Sequence, residues 1–302
     1  MTSLALAVAF WMLAGLLLRR AGLVRPEFAN DITQLVLWVT LPPLIVTALH
    51  GVRLAGVDLA MPALAWGLSL GALGLAHALA RSLRLSPART GSFALAVTFA
   101  NTTFLGYPLM TGFFPPPAPH LPLAILYDQL GATFAINTIG AAYASSAGGE
   151  LPTARIVFGR LLRFPPLWGL IVGLLLKDVA IPAPCWTLLT GVGALTIPLM
   201  LLCMGLSLRL EHWREGGGLV ALAAALKLVL LPLAMWGAVT ALGLPPAHAQ
   251  AAVLEAAMPT MFYALTLAIT FRLDVTLVIN TIVLSTALAF LTVPGWHALV
   301  TR

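Results

Sequence analysis

Three ionisable side chains lie inside long apolar stretches of the chain: Asp128, Lys227 and Glu255. A charge at the centre of a membrane-spanning helix costs about 2.5–3.5 kcal/mol on the insertion scale, so each residue is a candidate functional group. One lysine cannot pair with two acids, and a buried carboxyl group left over could bind a proton. These residues predict a charge relay or supporting network, although snorkelling of Lys227 and a structural ion pair remain alternatives.

Two further stretches combine polar side chains with residues that interrupt helices, one near position 105 and one near position 260. Proline removes a helix hydrogen bond, and the exposed N–H groups of a half-helix favour an anion such as a carboxylate. Paired interruptions of this kind indicate a binding site at the membrane midplane, whereas a single break would favour a simple kink. The candidate substrate-binding residues are Asn101, Thr102, Thr103, Gly106, Tyr107, Pro108, Met258, Pro259, Thr260 and Tyr263.

Other chemistry has little support in the sequence. Cys185 and Cys203 form no close metal-binding pair and are interpreted as small packing residues. The six histidines show no ligand spacing, so no metal site and no cofactor are expected. No zinc-protease helix or other catalytic motif is present, and we therefore expect that the protein is not an enzyme.

The elements that must carry these residues are membrane helices. Hydrophobic residues make up 60% of the 302 positions and charged residues only 9%, which leaves too few charges to cover a water-soluble fold. A spanning helix needs about 20 mostly apolar residues. Windows of this kind occur at about 2–18, 31–50, 58–80, 91–113, 120–143, 161–181, 185–207, 217–241, 247–270 and 275–299.

The positive charges predict the orientation of these helices. The first, third, fifth, seventh and ninth loops hold twelve arginines, whereas the opposite side holds only Arg53, Lys177 and Arg302. Basic residues concentrate on the cytoplasmic side, so both termini should face the periplasm. The same distribution explains the net charge of +6 by topology and argues against nucleic-acid binding.

The two halves of the chain resemble each other. At an offset of 156 positions Pro42 falls on Pro198, Arg53 on Arg209 and Tyr107 on Tyr263. Each half has five spans, so the halves would be inverted in the membrane, which is typical of secondary transporters. The repeats are predicted at 1–156 and 157–302.

Five segments carry a family resemblance that extends over essentially the whole chain. They are LVLWVTLPPLIVTAL, ANTTFLGYPL, LTIPLMLLCMGLSLRL, ALKLVLLPL and AAMPT. In this order they resemble the auxin efflux carrier family in its short bacterial form. In the repeat, Asn101 of the first break aligns with Ala257 in the second break, which has no amide side chain. A pocket formed by the two breaks would therefore be chemically asymmetric.

The resemblance implies a fold similar to that of sodium/bile-acid symporters and sodium/proton antiporters, in which broken helices four and nine cross. A scaffold would comprise about 1–55 and 161–210, and a transport part about 56–160 and 211–302. The family's substrates are small organic anions, and related carriers form homodimers through the scaffold.

We therefore expect an all-α membrane protein with ten transmembrane helices in two inverted five-helix repeats. Its expected function is secondary transport of a small organic anion, a carboxylate or an auxin-like weak acid, across the inner membrane by alternating access. Protons are a candidate coupling ion. The alternatives are an ion channel, a sodium-coupled organic-anion symporter and, more remotely, a membrane-embedded enzyme.

Overall fold

A computed structural model describes residues 2–25, 27–149, 162–207 and 217–302. The predicted boundary between the repeats, at 156/157, and the loop residues Arg155, Arg160, Arg209 and Arg214 lie outside these ranges. All regular structure in the described ranges is helical apart from one isolated β-bridge.

Helices occupy all ten of the predicted windows within the described part of the chain. One window holds a continuous run of residues 120–148, in which three α-helical stretches are joined by π-turns, and two other windows are each divided into two helices. In chain order the helices are α1 (Thr2–Arg20), α2 (Phe28–Leu49), α3 (Gly56–Ser82), α4 (Pro87–Thr98), α5 (Tyr107–Phe113), α6 (120–148), α7 (Pro165–Leu176), α8 (Ala183–Ser207), α9 (Gly217–Ala241), α10 (Pro246–Ala256), α11 (Tyr263–Thr270) and α12 (Val275–Val300).

Five helices in the described ranges are long and apolar enough to cross a membrane by themselves: α2, α3, α8, α9 and α12. Each of them is at least 22 residues long, and a rise of about 1.5 Å per residue makes that length sufficient for the roughly 30 Å hydrocarbon core.

Several helices contain π-helical turns. Those at Val36–Thr40, Thr102–Gly106 and Leu226–Leu230 are each followed by a proline, at Pro42, Pro108 and Pro232. A proline has no N–H to donate and its ring displaces the preceding turn, so a widened turn ahead of it is a local remedy. The run 120–148 contains two further π-turns, at Tyr127–Ala132 and Ile136–Gly140.

The described residues form two compact units. The first contains residues 2–55, 103–125 and 162–207. In it α1 packs closely on the second half of α8, where a Cβ atom added to Gly205 would lie 2.0 Å from the carbonyl oxygen of Met12. Gly169 of α7 similarly abuts Pro42 of α2. Glycine at these points lets the helix backbones approach each other, as is common in membrane helix packing.

The second unit contains residues 56–102, 126–149 and 217–302. Its core has two clusters of buried apolar side chains, one around Phe99 and Phe271 and the other around Phe93 and Val220. Buried polar and charged side chains of the same unit lie where α4 and α10 end.

Candidate substrate and charge-coupling site

The broken segments after α4 and α10 are joined to each other through their backbones. Ala100 and Thr260 form an antiparallel bridge. The N–H of Asn101 donates to the carbonyl of Pro259 over 2.7 Å, and the N–H of Met261 donates to the carbonyl of Phe99 over 2.9 Å. Because the interrupted segments supply donors and acceptors to each other, their backbone groups remain satisfied away from water.

Thr260 fixes this pairing from two further directions. Its hydroxyl donates to the carbonyl of Ala96 in α4 over 2.7 Å. Its own N–H donates to the hydroxyl of Ser285 in α12 over 3.1 Å. Thr260 and Ser285 are both fully buried. The role of Thr260 is therefore at least structural, since its hydroxyl hydrogen is used within the protein.

Asp128 lies in a π-turn of α6 and is fully buried. Its carboxylate accepts hydrogen bonds from the hydroxyls of Thr102, at 2.6 Å, and Thr133, at 3.0 Å, and from the side-chain amide of Gln129, at 2.9 Å. A carboxylate that accepts at least three hydrogen bonds is stabilised in its ionised form. One of these donors, Thr102, is the residue next to Asn101, so the buried carboxyl group of Asp128 lies close to the backbone bridge.

Lys227 and Glu255 are also fully buried in this unit. The ammonium group of Lys227 donates to the carbonyl of Ala256 over 3.4 Å, directly after Glu255. Within the described residues no carboxylate lies within 4.0 Å of this ammonium group, so Lys227 is not in direct ion-pair contact with either acid. Glu255 in turn interacts electrostatically with Asp128 and with Tyr127.

The predicted substrate residues divide between the two units. Asn101, Thr102, Pro259 and Thr260 lie at the crossing in the second unit, together with Met258 and Tyr263. Thr103, Gly106, Tyr107 and Pro108 belong to the first unit, in the helical segment that follows the break. The structure thus brings the first of these groups together around one backbone bridge.

The backbone bridge relates the two broken segments by a different offset from the one used in the sequence comparison. Ala100 and Thr260 are 160 positions apart, and the two hydrogen bonds of the bridge exchange under the same shift. The symmetry of the bridge therefore has an offset of 160, four positions longer than the 156 of the sequence comparison, and it relates Asn101 to Met261. The chemical asymmetry of the two breaks remains, because neither Met261 nor Ala257 carries an amide side chain.

The chain also matches known proteins along its length. A family model described as membrane transport protein covers residues 1–297. The chain belongs to this family, the auxin efflux carriers. A protein called an uncharacterized transporter, from Methanothermobacter thermautotrophicus, is 30% identical over 98% of this chain and 97% of its own length. An uncharacterized transporter of Methanocaldococcus jannaschii is 24% identical over 96% of both chains.

Membership in this transport family, together with the long apolar helices, identifies a multi-pass membrane protein. This membrane protein of the auxin efflux carrier family contains a buried polar cluster around Asp128. The hydrogen-bond donors of Asp128 come from two segments. Thr102 begins the π-turn after the break that follows α4, and Gln129 and Thr133 lie in and directly after the π-turn of α6.

Sequence reasoning missed three contributors to this carrier's buried site. Thr133 donates a hydrogen bond to Asp128, and Ser285 accepts one from the N–H of Thr260. A single hydroxyl in an apolar helix gives no signal by itself, since such hydroxyls usually bond to their own helix. Tyr127 precedes Asp128 and was not singled out. Asn137, in the same helix as Asp128 and Gln129, donates to the carbonyl of Thr133 in its own helix.

Proposed function

We propose that this carrier is an inner-membrane secondary transporter that moves a small organic anion, a carboxylate or an auxin-like weak acid, by alternating access. The observation that carries the proposal is the hydrogen-bonded bridge between the two broken segments, with Asn101 and Thr102 buried beside it. Interrupted helices meeting at the membrane midplane are the usual place for a transporter's substrate site.

The proposed architecture has ten transmembrane helices arranged as two inverted repeats of five, with both termini in the periplasm. The transport part would comprise about 56–160 and 211–302, and the scaffold about 1–55 and 161–210. The grouping of the described residues supports this division, except that residues 103–125 group with the scaffold. A homodimer would form through the scaffold helices.

The native cysteines test this orientation. Cys185 is exposed near the start of α8, after a loop that we place in the periplasm, and Cys203 is buried. A membrane-impermeant maleimide should therefore label Cys185 in spheroplasts without permeabilisation. A Cys185→Ser variant carrying a new cysteine in the proposed cytoplasmic loop, Ser86→Cys, should be labelled only after permeabilisation. Labelling of the two sites in the opposite order contradicts the orientation.

The substrate carboxylate would be held by N–H groups of the interrupted helices and by the side-chain amide of Asn101. Thr102 would contribute through its backbone, because its hydroxyl hydrogen is donated to Asp128. This assignment makes the amide of Asn101 the side-chain donor whose loss should matter most.

A thermal-shift screen of the purified protein against small carboxylates tests the site. At least one carboxylate should raise the melting temperature of the wild type, and Asn101→Ala should abolish that shift. Asn137→Ala is the matched control, since its amide serves its own helix. If every stabilising carboxylate acts equally on Asn101→Ala, the site is placed wrongly.

Proton coupling would run through the charge network of Asp128, Lys227 and Glu255. In proteoliposomes, uptake of the carboxylate identified by the screen should depend on an imposed proton gradient. Uptake that ignores the gradient, and that is unchanged in Asp128→Asn and Glu255→Gln, excludes proton coupling by these acids. A dependence on sodium in place of protons would favour the sodium-coupled alternative.

A further inference from the structure

The two buried acids of the second unit have opposite surroundings. Asp128 accepts at least three hydrogen bonds, whereas neither carboxyl oxygen of Glu255 has a hydrogen-bond partner among the residues that the structure describes. Both side chains are fully buried. An ionised carboxylate without donors is far more costly to bury than a neutral carboxylic acid, so Glu255 lacks what an anion needs at this position.

The charge balance of the cluster leads to the same assignment. With Asp128 ionised and Lys227 charged, the buried cluster is neutral only if Glu255 carries no charge. The ammonium group of Lys227 is directed at the carbonyl of Ala256, and it forms no ion pair with Glu255. The negative charge of Asp128 also opposes a second negative charge on Glu255.

The remaining charged groups around α10 do not alter this balance. Helix α3 packs on α10 and contributes Asp58, His77 and Arg81. Asp58 is bonded to His248 of α10 itself, His77 is bonded to Tyr143, and Arg81 is exposed at the end of α3.

Two other elements face the same region. Helix α12 contributes a single titratable side chain within its span, His297, in its last turn. Tyr127, from α6, is a phenol that is neutral at physiological pH. No described cation other than Lys227 is therefore available to neutralise an ionised Glu255.

From these observations we infer that Glu255, and not Asp128, is the proton-binding acid of this carrier. A proton taken up from water converts the carboxylate of Glu255 into a carboxylic acid and raises the charge of the cluster by one. Asp128 keeps its charge and holds the hydroxyl of Thr102 beside the backbone bridge. This inference rests on the proposed function for its role in coupling, but the protonation of Glu255 can be measured without transport.

Infrared difference spectroscopy of the purified wild-type protein provides the measurement. At neutral pH the protein should show the C=O stretching band of a protonated carboxylic acid, and the band should shift in D₂O. The band should persist in Asp128→Asn and disappear in Glu255→Gln. Loss of the band in Asp128→Asn, its retention in Glu255→Gln, or its absence from the wild type overturns the inference.

Two features keep this test decisive. If Glu255→Gln does not fold, the wild type and Asp128→Asn still discriminate, because Glu255 and Asp128 are the two fully buried acids of the described chain. The spectrum is also independent of the carboxylate screen. If the Glu255-dependent band is missing but the Asn101-dependent thermal shift is observed, only the Glu255 assignment is wrong. If the band is observed but the thermal shift does not depend on Asn101, only the substrate site is placed wrongly.

Discussion

The hydroxyl of Thr102 donates a hydrogen bond to the carboxylate of Asp128 over 2.6 Å, and both side chains are fully buried. Thr102 follows directly after Asn101, whose N–H pairs with the second broken segment. The charge of Asp128 is therefore connected to the crossing by one side chain and one peptide group. These contacts link the carboxylate of Asp128 to the backbone bridge.

Replacing Thr102 by valine should destabilise the second unit, because it removes a donor from a buried carboxylate while keeping the shape of the side chain. Hydrogen bonds to charged groups contribute about 1.5–3 kcal/mol each. We expect a clear fall in the melting temperature of the detergent-solubilised protein. The control is Thr281→Val, since Thr281 is equally buried but bonds only to its own helix carbonyl at Leu277. An equal fall in both variants contradicts a special role for the Thr102–Asp128 contact.

Replacing Ser285 by alanine should loosen the crossing, because the N–H of Thr260 then loses its acceptor. A buried donor without a partner costs about 1–3 kcal/mol. Hydrogen exchange measured by mass spectrometry should show faster exchange in the peptide that contains Thr260.

Ser145 offers a matched control for this substitution. Its side chain is fully buried in the same unit, and its hydroxyl has no hydrogen-bond partner among the described residues. Ser145→Ala should leave both the exchange rate at Thr260 and the melting temperature nearly unchanged. Faster exchange at Thr260 in this control as well would show that the effect of Ser285→Ala is not local.

Lys227 and Asp128 should be coupled in stability although they form no direct ion pair. Lys227→Met removes a fully buried positive charge from the second unit, and Asp128→Asn removes a fully buried acid that accepts hydrogen bonds from Thr102, Gln129 and Thr133, so each single variant should be destabilised. The double variant should be more stable than the sum of the two effects predicts, with a coupling of about 0.5–3 kcal/mol. A thermal or denaturant double-mutant cycle measures this coupling, and an additive result would show that Lys227 is not the countercharge of Asp128.

The apolar windows predicted where helices lie in the described ranges, and the two interrupted stretches were recognisable because prolines and glycines break long apolar runs locally. It did not predict the register of the crossing. An offset of 156 aligned Ala257 with Asn101, whereas in the backbone bridge Asn101 pairs with Pro259, and Phe99 pairs with Met261.

The charge network shows a second limit of the sequence. The sequence places Lys227, Asp128 and Glu255 inside long apolar stretches, but a position along a helix says nothing about the direction in which a side chain points. The lysine points to the carbonyl of Ala256, and the donors of Asp128 include Thr133, five residues further along the chain in a region of widened helix. Such contacts depend on local helix winding, which the hydrophobic pattern does not encode.

Close packing of α1 on α8 in the first unit leads to a last prediction. A Cβ atom at Gly205 would lie 2.0 Å from the carbonyl oxygen of Met12, and the obstacle is backbone, which cannot move aside like a flexible side chain. Gly205→Ala should therefore force the helices apart and lower the free energy of unfolding by about 1–3 kcal/mol, as other overpacking substitutions do. The melting temperature should fall accordingly. Gly237→Ala in α9 meets no described atom within 4 Å and should leave stability unchanged or slightly higher, since alanine is the better helix former. If both variants melt at the wild-type temperature, α1 and α8 do not approach each other at Gly205 as closely as described.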